Sequence, residues 1–122
     1  MKDMNRIFLM GRLGSDADLK ETKTGKKVLK FSMATGKTFK KRDENGQESD
    51  EKLKSAPQWH QVVIWGKLGE ACAPYLKKGK PVFVEGEVRS KKYMTKDGFE
   101  RWTYEVNAKE INFLPSLSYS AN

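Results

Sequence analysis

Apolar residues fall at every second position along most of this chain, not at the three-to-four spacing of a helix. The cleanest stretch is Trp102, Tyr104, Val106 and Ala108, alternating with Arg101, Thr103, Glu105, Asn107 and Lys109. A period of two puts alternate side chains on opposite faces of a strand, so an all-β chain is expected. Ile111 breaks the parity and predicts a bulge near Lys109-Glu110. Just upstream, Thr95-Lys96-Asp97-Gly98 is a hairpin signal that joins this strand to one over Pro81–Met94. Leu29, Phe31 and Met33 alternate with Lys30 and Ser32, and a further strand runs from Gln58 to Gly66. Ile7-Phe8-Leu9-Met10 is a continuous apolar run, which predicts a strand buried on both faces.

The interruptions are as informative. Lys23-Thr24-Gly25-Lys26 reads as a turn. Residues 40–57 lose all periodicity and carry balanced charge, so they are expected to form a mobile functional loop. Lys67–Lys78 is the one candidate helix, with Gly79 at its C′ position and Lys77 and Lys78 at its negative end. Pro74 should shorten or kink it. Five strands with one helix between the third and fourth is the order of the OB-fold, a five-stranded Greek-key barrel, although other small barrels fit the same pattern. The expected domain is residues 1–114, followed by a short frayed tail over 115–122.

At 122 residues the chain fits one domain with a real core. One Cys excludes a disulfide framework and a structural zinc site, and one His leaves no His-rich metal site. No metal or cofactor is expected. No run of 18 apolar residues exists, and the N-terminus lacks the features of a secretory signal, so a reducing cytoplasmic setting is the expectation. There are 24 Lys+Arg against 16 Asp+Glu, a net charge of +8, which favours a polyanionic partner.

Phe31–Thr38 nearly spells a P-loop, but Phe31 stands where the first glycine is required. Cys72, between Ala71 and Ala73, is expected to be buried. His60 alternates with Val62 and Ile64, and neither it nor Cys72 has a base-and-orienter constellation, so no enzyme is expected. The opposite face of that strand carries Trp59, Gln61, Val63 and Trp65. With one face supplying the core, the other should look outward, and exposed aromatics among basic residues are what base stacking requires. Tyr93 ends a charged face that also carries Glu85, Glu87, Arg89 and Lys91. Phe39 shares parity with Phe31 and Met33 unless Gly36 breaks it.

Four blocks resemble one family: Asn5–Gly14, Trp59–Leu68, Tyr75–Gly79 and Val84–Arg89 look like the bacterial single-stranded-DNA-binding proteins, across about residues 4–114. The resemblance implies an OB-fold that assembles as a homo-oligomer, a tetramer ahead of a dimer, and wraps single-stranded DNA during replication, recombination and repair. It places base-stacking aromatics at Phe39, Trp59, Trp65 and Tyr93. It places phosphate contacts at Lys67, Lys78, Arg89, Lys91 and Lys92, and puts His60 near a subunit interface. Trp102 should respond less to DNA if its face is the core face. Gln61 stands where the family often has Arg, and Pro74 is unusual. The family commonly continues into an acidic tail that recruits replication and repair proteins, whereas residues 115–122 hold no acid. A tail-less replication-restart adaptor of the same fold and an RNA-binding OB module are the alternatives.

Overall fold

The computed structural model describes residues 1–36, 38–42, 44–46, 48–54 and 56–115; over 38–42 and 48–54 only the backbone pairing is described. The strands are β1 (Ile7–Leu13), β2 (Asp18–Glu21), β3 (Lys27–Thr35), β4 (Thr38–Arg42), β5 (Glu48–Lys54), β6 (Gln58–Trp65), β7 (Pro81–Met94) and β8 (Glu100–Phe113). A helix, α1 (Gly66–Cys72), and a 3-10 turn over Ala73–Tyr75 lie between β6 and β7. The main sheet runs β1-β7-β8-β6-β3-β2, and β1 also pairs with β3, so five strands close into a ring. With the helix between the third and fourth barrel strands, this is the OB-fold.

Alternation builds the interior. Leu9 and Leu13 of β1, Leu29, Phe31 and Met33 of β3, and Val62 and Ile64 of β6 all point inward. Val82 and Val84 of β7 and Val106 and Ala108 of β8 complete the barrel wall, and Cys72 and Leu76 join from the helical segment. Each large side chain removed from water contributes about 1.5–3 kcal/mol, so one face of every strand is fixed energetically. The predicted bulge is present: Glu85 pairs with Glu110 and Gly86 with Ala108, leaving Lys109 as the extra residue. The predicted hairpin turn closes with Gly98 donating its N–H to the Thr95 carbonyl at 3.0 Å.

Four expectations need correction. β1 is buried on one face only: Phe8 and Met10 are exposed, and Phe8 stacks on Phe83 of β7 at 6.1 Å. A continuous apolar run carries no parity, so its outward face was invisible in sequence. Residues 40–57 are not a plain loop, because β4 and β5 form an antiparallel pair around a turn that includes Gly46 at φ 80°. Strands without an apolar face leave no period-two signal, and β2 went unread for the same reason. The helix ends at Cys72, not Lys78, because Pro74 has no N–H to continue it. Lys77 and Lys78 therefore lie beyond the helix end, and Gly79, at φ 82°, donates its N–H to the Leu13 carbonyl instead. The last correction concerns Trp102. It shares a face with Val106 and Ala108 yet is 63% exposed, because β7 and β8 extend past the barrel and, among the described residues, the core cluster ends at Val106.

Candidate nucleic-acid interface

The outward face of β6 presents Trp59 and Trp65, 57% and 46% exposed. Between them Gln61 pairs with Ser32 and Val63 with Lys30 of β3. Val63 shares this face but is buried, at the floor of a cleft of about 160 Å³. Lys30, Gln61, Lys91, Thr103, Tyr104 and Glu105 line that cleft. The Lys91 ammonium sits 4.0 Å from the Glu105 carboxylate.

Trp65 borders a second cleft, of about 480 Å³, with Gly25, Lys26, Lys27, Gly66, Lys67 and Glu70. Three lysines thus line one cleft beside an indole, with the Lys27 ammonium 3.6 Å from the Glu21 carboxylate. Lys26 and Lys27 were missed in sequence because they flank a turn and have no periodic role. Only the fold carries that turn to the end of β6, through the pairing of Val28 with Trp65.

On β7, Arg89, Lys91 and Tyr93 project from the same side of the ribbon, and Tyr93 is exposed. The Arg89 guanidinium donates twice to Glu87 Oε1, at 2.8 and 2.6 Å. This hydrogen bond, chiefly, holds the Glu87 carboxyl below its ordinary value, with smaller help from the charge of Lys109. Lys92 points to the other side, opposite Trp102, and pairs with Glu100 at 3.0 Å. The five basic positions are therefore not gathered on one surface. Lys78 lies in the loop after the 3-10 turn, where its N–H donates to Asp16 Oδ1 at 2.8 Å. His60 faces inward, with Nε2 2.9 Å from Thr35 Oγ1. Phe39 is on β4, opposite Leu53; its side chain lies outside the described set.

A model of the Single-strand binding protein family matches residues 4–114. The chain belongs to this family. Among curated members of the single-strand binding family, the protein "Single-stranded DNA-binding protein" of Xanthomonas axonopodis pv. citri (strain 306) is 42% identical over 93% of this chain and 59% of its own length. The protein of the same name from Neisseria meningitidis serogroup A is 39% identical over 91% of this chain and 60% of its own. The chain thus spans about 60% of the length of these two relatives. A solved structure, "Plasmodium falciparum SSB complex with ssDNA", superposes with a TM-score of 0.75 at 28% identity, covering 94% of this chain and 98% of that one.

Among the described residues of this family member, no group of three or more His, Cys, Asp or Glu is placed to hold a metal. No described helix is long and apolar enough to cross a membrane. Cys72 is buried, and burial pushes its thiol above the ordinary value.

Proposed function

We propose that this chain binds single-stranded DNA without sequence preference and without chemical turnover, protecting exposed strands in replication, recombination and repair. The observation that carries the reading is the pair of exposed indoles, Trp59 and Trp65, on one strand face with Lys30, Lys67 and Lys91 beside them. Every base has a π-face, and a duplex hides those faces, so stacking selects unpaired strands with no base-edge code. Phe39 and Tyr93 extend the stacking row in this reading. Lys67, Lys78, Arg89 and Lys91 neutralise phosphates along it. The Plasmodium falciparum structure, a complex with ssDNA, supports the same use of the fold.

The working unit in this reading is a homo-oligomer in the cytoplasm, a tetramer ahead of a dimer. Phe8 and Met10 stand exposed on the outward face of β1, with Phe83 beside Phe8, and a second copy would cover them. The family resemblance puts His60 near a subunit interface in this reading, and residues 1–114 form the binding domain. The deciding experiment is fluorescence titration with oligo-dT, run beside a solution-mass measurement with and without the oligonucleotide. Strong quenching of indole emission is expected, together with a mass of several chains. A preference for matched RNA over DNA would transfer the reading to an RNA-binding module. Unquenched emission with no bound strand would sink it.

A further inference from the structure

The β7–β8 ribbon runs on past the barrel, and the inward-facing row of its side chains continues with large rings left exposed among the described residues. Val88 opposite Val106 is the last pair in that row with a buried member. Beyond it come Ser90 opposite Tyr104 and Lys92 opposite Trp102. Tyr104 is 67% exposed and Trp102 63%, more than either indole of β6. A free two-stranded ribbon is marginally stable, and two large rings left in water do nothing to steady it. The Lys92 ammonium stands 5.6 Å from the Trp102 ring centroid while it pairs with Glu100. The row therefore alternates rings with polar and cationic groups, whereas Phe8, Met10 and Phe83 cluster on the outward face of β1 and β7.

This row lies on the other side of the sheet from the stacking face of β6, and a gap between the strands joins the two. β6 and β8 pair at only two positions, Val62 with Val106 and Val63 with Asn107. Toward the N-terminal end of both strands they part, and a gap of about 250 Å³ opens between them. Trp59 and Gln61 stand on one lip, and Thr103, Tyr104 and Glu105 on the other.

We infer that Tyr104 and Trp102 form a second stacking track for single-stranded DNA. A strand leaving Trp59 crosses the gap and lays successive bases on Tyr104 and Trp102. Lys92 meets a phosphate there in exchange for Glu100. The inference rests on the proposed DNA binding, and it makes the inward side of the ribbon a part of the site.

The chain has three tryptophans, so Trp59→Phe with Trp65→Phe leaves Trp102 as the lone indole. Binding of fluorescein-labelled oligo-dT, short and long, is followed by anisotropy, and the indole emission is read in parallel. The long oligonucleotide should quench Trp102, and the short one should quench it less. In the parent chain, Trp102→Ala should weaken binding of the long strand by on the order of 5- to 150-fold, and Trp102→Phe should largely restore it. Lys92→Gln should flatten the salt slope on the long strand by less than the roughly 0.7 of an unpaired lysine, because Glu100 must be exchanged first. Bound DNA with unquenched Trp102 would overturn the second track and leave the β6 face standing. Absence of any anisotropy change with the parent chain would remove both. A fall in solution mass on Trp102→Ala, with DNA binding intact, would assign the row to a second copy of the chain.

Discussion

Trp59 lies directly over Gly14: a β-carbon on that glycine would come within 2.4 Å of the indole. The backbone of the loop after β1 thus serves as the seat on which the ring rests. Gly14→Ala should displace the ring and leave the fold intact, because Trp59 is exposed and free to swing outward. The expected result is a loss of up to about 1–3 kcal/mol in oligo-dT affinity, the range for one stacked base. Thermal unfolding should move little. A fully bound, fully quenched Gly14→Ala variant would show that ring placement is not set here.

Trp59→Ala and Trp65→Ala should each weaken binding by about 1–3 kcal/mol. The two rings occupy different surroundings: Trp59 borders the gap to β8, and Trp65 borders the lysine-lined cleft. Their losses should therefore add when combined. Isothermal titration of the single and double variants checks this.

Gly86 presents the opposite case, a glycine that holds the barrel closed. A β-carbon there would sit 2.2 Å from the Asn107 carbonyl oxygen and 2.9 Å from Ala108 Cα. Both are backbone atoms of the neighbouring strand, at the bulge, and they cannot yield without opening the ladder. Gly86→Ala should cost about 1–3 kcal/mol or more of stability in denaturant unfolding, the range for an overpacked interior.

How far the sequence could be read depended on whether apolar side chains carried a phase. Leu29, Phe31 and Met33, and likewise Val106 and Ala108, announce both strand and buried face, and the structure buries all five. The parity break at Ile111 even located the bulge. Phe8 and Met10 were misplaced because an unbroken apolar run has no phase. β2, β4 and β5 were unreadable because pairing there is carried by backbone, with no apolar stripe. Trp102 exposes the limit of periodicity: it tells which side a residue faces, but not how far along the strand the core extends. Lys26 and Lys27 reach Trp65 only through the pairing of β3 with β6, a long-range fact that no local pattern carries.

Burial holds the Cys72 thiol above its ordinary value, so its folded state keeps the proton at pH values where the unfolded thiol ionises. That contribution is fully present below the unfolded thiol value, about 8.5, and fades as pH rises through the folded one. Cys72→Ala should therefore unfold with a shallower loss of stability between pH 8 and pH 10. The native thiol should also react with a disulfide reagent only as fast as the chain opens. Rapid labelling without unfolding would contradict the buried placement.

The basic side chains should not contribute equally to salt dependence, because some are already neutralised within the protein. Lys67 has no ion-pair partner among the described residues, and removing its charge should flatten log K against log salt by about 0.7, one phosphate on a single strand. Arg89 differs, since Glu87 takes two of its N–H groups before any phosphate arrives. A phosphate must displace that carboxylate or share the guanidinium with it. Arg89→Gln alone should thus change affinity and slope less than Lys67→Gln. Glu87→Gln should release the guanidinium, tighten binding and steepen the slope. In that background Arg89→Gln should then cost as much as Lys67→Gln. A double-mutant cycle over Glu87 and Arg89, run at several salt concentrations, reads the coupling. Simple additivity would mean that the pair stays intact when DNA is bound, and that the phosphate path runs along Lys91 and Lys67 without reaching Arg89.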